Sequence, residues 1–340
     1  MNLSKNSFDA ALLLGVRERL AEAYRSLRQS EQDVFQSVLD DNGVFRKGVV
    51  HLRNCPLCAT PSHDAPLVHY VHGMHIVQCV QCDLVYSREV INRDEDNSRY
   101  RLNSAMDAHI ALHTNSTYAQ LELAKAHYIV TCLKDAGGGS KVTLLDIGCS
   151  TGSILQAARE LGWQALGIDP NCAAVQIALR RGLEAVEGYF PDDLPSSAGP
   201  FQSITMLDVL EHAEDPVGLL LSVTKRLAPG GLLAVQVPNF NSLLIRIEGA
   251  RNNNICHGHW SYFTAETLAK VAAKAGLNVL SVETIISEID RIRSHPTKQV
   301  VEVARHLTGR DVEHAEIDHQ WVHEQLLGYK LLGVLCQHLT

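Results

Sequence analysis

Four groups of residues in this 340-residue chain have the types and spacing to do chemistry. The first is a pair of Cys-x-x-Cys turns, Cys55/Cys58 and Cys79/Cys82, with 20 residues between them. Each turn offers two thiolates, and two such turns fill all four corners of a tetrahedral zinc site. A closed site of that kind holds structure together and activates nothing. The second group is Asp146-x-Gly148-x-Ser150-x-Gly152, a small-residue turn opened by a carboxylate. Its glycines let backbone approach a ligand closely, and the acid suits a ligand with a cationic end better than a pyrophosphate. The third is Asp169, 23 positions after Asp146, where a βαβ nucleotide-binding unit places its ribose-binding carboxylate. The fourth is His257-x-His259, followed by Trp260 and Tyr262. It offers an imidazole base that titrates near neutrality beside an aromatic wall.

These groups need elements to position them. Residues 1–48 read as a helical segment, with Leu12, Val16, Leu20, Tyr24 and Leu27 at three-to-four spacing. Residues 49–90 read as short β pieces around the paired cysteines, a small zinc-ribbon domain. Residues 91–140 form a helical connector and candidate lid carrying Tyr100 and Tyr118. From 141 to 287 strands and helices alternate, which implies an α/β, Rossmann-like parallel sheet with helices on both faces. Residues 288–340 read as a C-terminal helical extension, and no further strand is evident in them. Its Trp321, Leu326, Leu327, Leu331, Leu332 and Leu335 are expected to pack on the main domain or on a second subunit. The helical extensions are therefore the candidate homodimer surface. His319 and His323 stand one helical turn apart without a third ligand at fixed spacing, and read as a solvated helix face.

Composition narrows the class. Thirty Lys and Arg against 38 Asp and Glu give a net charge of -8, and no basic run offers a phosphate backbone a landing site. Nucleic acid is accordingly a poor partner. No apolar run approaches the ~20 residues that cross a bilayer. Nine cysteines, four of them in the paired turns, fit metal binding in a reducing compartment, and the expected location is the cytoplasm.

The Asp146–Gly152 turn resembles motif I of the class I S-adenosylmethionine (SAM) methyltransferases. Three more segments carry the resemblance in order: Gly188–Asp193, Phe201–Pro216 and Leu227–Asn239. Together they cover roughly residues 120 to 285. The resemblance implies that Asp146, Gly148 and Gly152 frame the methionine part of SAM and that Asp169 holds the ribose hydroxyls. It places Leu207 and Asp208 beside the sulfonium and Tyr189 at the adenine. Cys82-Asp-Leu-Val-Tyr-Ser87 resembles the ending of ribbons fused in front of bacterial methyltransferases, which implies a structural Zn2+ on Cys55, Cys58, Cys79 and Cys82.

A ribbon, a SAM domain and the His257–Phe263 segment together resemble the deoxysugar C-methyltransferases. Those enzymes have Tyr-x-Glu-His in this segment, whereas this chain has Cys256, Gly258 and His259 at the three functional positions. Only the histidine is kept, so an O- or N-acceptor is at least as well suited as a carbon. The sequence thus leads to a SAM-dependent methyltransferase acting on a small molecule, a sugar nucleotide or natural-product intermediate. His259 is the first candidate base and His257 the second, with Asn239 a weaker candidate for substrate contact. The rival readings are an rRNA or tRNA methyltransferase reading RNA through its ribbon, and a SAM-fold scaffold that binds a partner without turnover.

Overall fold

The computed structural model describes residues 16–92, 104–137 and 142–337. Leu12 and Tyr100 lie outside the described residues. Helix α1 (Val16–Ser37) leads into the cysteine module. That module is built from β1 (Val50–Leu52), β2 (Leu67–Val71), β3 (Met74–Gln78), β4 (Val85–Ser87) and β5 (Glu89–Ile91). Strands β2, β3 and β4 form an antiparallel meander, and β1 pairs with β5. Gly73 makes the β2–β3 turn at φ +82°, a conformation open to glycine at no steric cost. Helices α2 (Ser104–Thr114) and α3 (Ser116–Asp135) follow, and Asn115 caps α3 by accepting the Thr117 N–H.

The alternating region then begins with β6 (Thr143–Ile147), α4 (Ser153–Glu160), β7 (Gln164–Asp169), α5 (Cys172–Arg180) and β8 (Glu184–Glu187). It continues through β9 (Phe201–Leu207), α6 (Pro216–Thr224), β10 (Leu227–Pro238) and α7 (Leu243–Glu248). After β11 (Ser261–Tyr262) come α8 (Ala265–Lys274) and β12 (Leu277–Ile285). The chain ends with α9 (Ile289–Arg293), α10 (Thr297–Thr308), α11 (His319–Glu324) and β13 (Lys330–Gln337). Among the described residues, seven strands make one sheet in the order β12-β13-β10-β9-β6-β7-β8. The run from β10 to β8 is parallel, and β13 lies antiparallel to both β10 and β12.

Both faces of this sheet are covered, as a parallel sheet requires. Neighbours on β6 point to opposite sides. Leu145 packs with Ile204, Met206, Val235 and the α6 and α8 residues Leu220, Val223, Leu268 and Val271. Leu144 packs with Ala234, Leu332 and the α3 and α4 residues Ile129, Leu133, Leu155 and Ala158. Each fully buried side chain of this size stabilises the fold by about 1.5–3 kcal/mol. The helices start where local chemistry sets them: Asp215 accepts the Gly218 N–H with Pro216 in the first turn, and Thr264 and Thr267 form a reciprocal cap on α8.

The C-terminal segment departs from its helical expectation. Leu331, Leu332 and Leu335 lie on strand β13, which is inserted between β10 and β12 to complete the sheet. A strand buried on both faces loses the two-residue alternation that marks a strand in sequence, and its apolar run then reads as a helix face. Val300, Ala304 and Val322 do belong to a helical layer, which with Leu327 of the following loop closes on Leu243, Leu244 and Ile247 of α7. His323 is buried there with Nδ1 3.0 Å from the Thr284 hydroxyl, and His319 sits 2.6 Å from the Ser287 hydroxyl. Both pack against the end of β12, not on a solvated face. No described helix is long and apolar enough to cross a membrane.

Candidate active site

The turn after β6 takes a shape that only small residues tolerate. Gly148 has φ +76°, Ser150 +46° and Gly152 +89°. A Cβ on Gly148 would meet Val209 Cγ2 at 2.5 Å, so its glycine is required twice over, by conformation and by space. Ser150 carries the left-handed strain of a non-glycine residue, and its N–H donates to Asp169 Oδ2 at 2.8 Å. The Asn171 N–H donates to Asp169 Oδ1 at 2.8 Å. Asp169 is thus fixed at the end of β7 by one backbone donor on each oxygen. A carboxylate oxygen has a second lone pair, so both can still accept a hydroxyl, as two neighbouring ribose hydroxyls require. Burial nevertheless raises the Asp169 pKa, with the two N–H donors opposing it.

Asp146 lies beneath the turn, buried, and accepts the Thr205 hydroxyl at 2.7 Å. Burial first, and then the neighbouring Asp169 charge, push its pKa up to about 7, while the Thr205 bond works the other way. A cationic ligand group would relieve that cost. Tyr189 follows β8, where its N–H donates to Asp193 Oδ2 and Gly188 N–H donates to the Asp169 carbonyl. The loop expected at the adenine is therefore tied to the residue expected at the ribose.

The strand ends next door hold a charged cluster. Asp208, just after Leu207 at the end of β9, has φ +55°, a strained position for a non-glycine residue. Its Oδ1 accepts from Lys330 Nζ and its Oδ2 from Gln236 Nε2, each at 2.8 Å. Burial resists ionisation of Asp208, but the Lys330 and Lys125 charges outweigh it and hold the pKa below the ordinary value. Helices α2 and α3 bring His109, His113, Tyr118 and Glu122 to the same place. His109 and His113 rings lie 4.2 Å apart, His113 and Tyr118 4.9 Å, and all three feel the Asp208 charge. Tyr118, named above as a candidate lid residue, is thereby placed beside Asp208 and His113.

The two histidines of the His-x-His segment part company. His259 Nδ1 lies 2.9 Å from the Asn254 carbonyl, which places the proton on Nδ1 and leaves the lone pair on Nε2. Its ring stands 4.8 Å from that of His212, and burial together with the His212 and Lys330 charges keeps it far below the usual imidazole pKa. It is an uncharged ring at neutral pH. His257, expected as a second catalytic candidate, packs instead between Phe35 and Phe45 at 4.8 and 5.2 Å, with Nε2 2.6 Å from the His72 carbonyl. Successive residues of an extended loop point to opposite sides, but here the intervening Gly258 at φ +90° turns the chain between them. Asn239 is also structural: its Nδ2 donates to the Leu326 and Gly328 carbonyls at 2.9 Å and holds the approach to β13.

The cysteine module is tied to this loop. The Sγ atoms of Cys55, Cys58, Cys79 and Cys82 lie within 4.8 Å of one another, with Cys55–Cys82 at 3.5 Å and Cys58–Cys79 at 3.4 Å. Zinc–sulfur bonds of about 2.3 Å in a tetrahedron need sulfurs roughly 3.8 Å apart, so the four fit one zinc. Strand β11 pairs with β4, and the Ser87 N–H donates to the Trp260 carbonyl at 2.9 Å. Arg53 crosses the seam. Its Nε donates to the Ser87 carbonyl at 3.0 Å, Nη1 to the Glu214 carbonyl at 2.6 Å and Nη2 to the Trp260 carbonyl.

Lys330, Lys125, His109 and His113 carry chemistry that sequence reasoning did not single out. Lys330 had one signal, a lone charge opening an apolar run, but it lies 122 residues from its partner Asp208.

Residues 115–282 match the Methyltransf_23 family, described as a methyltransferase domain. The C-methyltransferase NovU of Streptomyces niveus is 26% identical over 215 residues, 62% of this chain and 48% of that protein. A ubiquinone biosynthesis O-methyltransferase of Alkalilimnicola ehrlichii is 32% identical over 131 residues, 36% of this chain and 52% of that protein. These matches span about half the length of the relatives. Among solved structures, a chain from the complex between the Haloferax volcanii Trm112 methyltransferase activator and a methyltransferase superposes with TM-score 0.50 at 20% identity. It covers 69% of this chain and 97% of that one, and it shows the shared fold.

Proposed function

Because residues 115–282 are a class I SAM-dependent methyltransferase domain, we propose that this protein methylates a small molecule bearing an oxygen nucleophile. The observation that carries the reading is that two sets of groups stand at the carboxyl ends of parallel strands in one sheet, on either side of β6. Asp169 presents two pre-oriented oxygens after β7, and Asp208 and His259 stand at the acceptor side after β9 and β10. When bound, SAM supplies an activated methyl group with a good leaving group attached. Asp169 takes the ribose hydroxyls, Tyr189 borders the adenine, and Asp146 with the Gly148–Gly152 turn receives the amino-acid end. Leu207 and Asp208 lie beside the sulfonium. The acceptor enters under α2 and α3, which exclude water.

His259 is the residue through which the acceptor is activated, since its ring is uncharged and its lone pair sits on Nε2. Gly258 stands where a carboxylate would be needed to help remove a proton from carbon, so a hydroxyl suits this edge best. The names of the relatives include both a C- and an O-methyltransferase. Cys55, Cys58, Cys79 and Cys82 hold a structural zinc with every position filled. The test is methyl transfer from radiolabelled SAM to a panel of sugar nucleotides, phenols and other hydroxylated acceptors. His259→Ala should lower turnover by roughly 10²–10⁴ with SAM affinity unchanged. A full-rate His259→Ala variant, or a wild-type protein that does not bind SAM, overturns the reading.

A further inference from the structure

Glu211 is buried to 1% exposure, and neither of its carboxylate oxygens has a hydrogen-bond partner. A buried polar group left unpaired costs about 1–3 kcal/mol, and a charged one more. The Lys330 charge acts on Glu211, but its ammonium is committed to Asp208 Oδ1 at 2.8 Å. What Glu211 does have nearby is two imidazoles. One ligand atom each from Glu211, His212 and His259 lie within 4.8 Å of one another. His212 Nδ1 lies 2.7 Å from the Gly258 carbonyl, and His259 Nδ1 lies 2.9 Å from the Asn254 carbonyl. A carbonyl only accepts, so Nδ1 is the donor in both rings, and Nε2 is the nitrogen that would serve as ligand. A second hydrogen bond from the far nitrogen to a backbone carbonyl is how metal-binding histidines are usually oriented.

We propose that Glu211, His212 and His259 bind a divalent transition-metal ion at the acceptor edge of the site, separate from the four cysteines. Two imidazole nitrogens and one carboxylate select a borderline ion such as Zn2+, Co2+ or Fe2+ over Mg2+ or Ca2+, which prefer all-oxygen shells. Three protein ligands leave open positions, the mark of a site that takes a substrate oxygen. The ion satisfies the Glu211 carboxylate, and it gives the activating role of His259 a mechanism, since a coordinated hydroxyl is more acidic than a free one. That role rests on the methyl-transfer reading. The binding of the ion does not.

The experiment adds Co2+ to the purified full chain, with its cysteine site filled, and follows binding by calorimetry and by the weak visible bands of cobalt bound to nitrogen and oxygen. One equivalent should bind beyond the cysteine site. Glu211→Gln, which keeps shape, and His259→Ala should each weaken it by more than about tenfold, and no thiolate-to-cobalt charge-transfer bands should accompany binding to the wild type. Unchanged SAM affinity in the two variants shows that the fold is intact. No second equivalent at millimolar Co2+, or wild-type affinity in Glu211→Gln, overturns the site. Ion binding without methyl transfer to any acceptor would sustain the site and sink the proposed function, whereas full-rate transfer with the ion removed would sustain that function and overturn the ion's activating role.

Discussion

Replacing Arg53 should separate the two jobs proposed for this molecule, binding SAM and presenting the acceptor. The guanidinium donates to the carbonyls of Ser87, Glu214 and Trp260, so it joins the ribbon to the loop that carries His259. Burial lowers its pKa to about 10, which leaves it charged at neutral pH. A hydrogen bond from a charged donor is worth about 1.5–3 kcal/mol, but the three do not add in full. The Trp260 carbonyl keeps the Ser87 N–H as a donor, and Glu214 is exposed, so water replaces the bond there. The net loss for Arg53→Met is therefore on the order of 2–4 kcal/mol. Trp260 follows His259 directly, and a shift of about 1 Å in a reacting group can cost roughly 10²-fold in rate. The variant should melt several degrees lower and turn over about 10–100 times more slowly, with SAM affinity unchanged because no contact of Asp169 is touched. Arg53→Lys should behave nearly as badly, since one ammonium cannot span three carbonyls. Thermal melting, SAM calorimetry and turnover on the same preparations decide it. Wild-type melting and turnover in Arg53→Met would refute the clamp, and a parallel loss of SAM affinity would show a global effect instead.

Asp169→Ala should weaken SAM by about ten- to a hundredfold in calorimetry, the equivalent of losing 1.5–3 kcal/mol of charged hydrogen bonding. Asp146 sets a pH dependence of the ligand-free protein. Its folded pKa of about 7 exceeds its ordinary value, so between those two pH values the folded state holds a proton that the unfolded chain has released. Stability from this group is full below the lower value and falls as pH rises towards 7. Asp146→Asn should flatten that part of the melting-temperature profile relative to wild type, and an unchanged slope would show the carboxylate is not the source. His257→Ala should destabilise by about 2–4 kcal/mol, as expected for removing a buried ring, and leave turnover per folded molecule intact. A stable but inactive variant would restore His257 to the catalytic candidates. Cys58→Ser should lose zinc, measured by metal analysis, and with it the order of the ribbon and most of the turnover. Normal turnover without metal would leave the zinc without a role.

The doubly covered sheet from β6 to β12 was legible because its determinants are local: alternating elements, glycine punctuation and capping residues next to the helices they start. The residues proposed to hold SAM, Asp146, Gly148, Gly152 and Asp169, stand within one βαβ unit, so their spacing in sequence is nearly their spacing in space. The acceptor side was legible only in part. His259 announced itself, but its neighbours Lys330, Lys125 and Glu211 come from elements far apart in the chain, and no periodicity encodes their meeting. Strand β13 was hidden for a different reason, since burial on both faces erases the alternation that sequence reading depends on. His257 and His259 show the limit most sharply. They are the same residue type two positions apart, and Gly258 at φ +90° sends one in between Phe35 and Phe45 and the other against His212.

That divergence explains why a catalytically inert ribbon belongs beside this site. A two-residue strand such as β11 has almost no stability of its own. It is held because β4 pairs with it, because His257 is seated among Phe35, Phe45 and His72, and because Arg53 closes the seam. Each of these anchors belongs to the ribbon or the chain just before or after it, and Lys270 and Lys274 of α8 reach back to the Cys82 and Leu57 carbonyls from the other side. The Asp146–Gly152 turn, by contrast, is fixed from within the main domain, by hydrogen bonds to Ile168, Asp169 and Arg181. Changes in the ribbon should therefore reach the acceptor before they reach the cofactor. A loop that must place an imidazole to within a fraction of an ångström gains that precision from a rigid second domain under it, because its own segment buries too little to supply it.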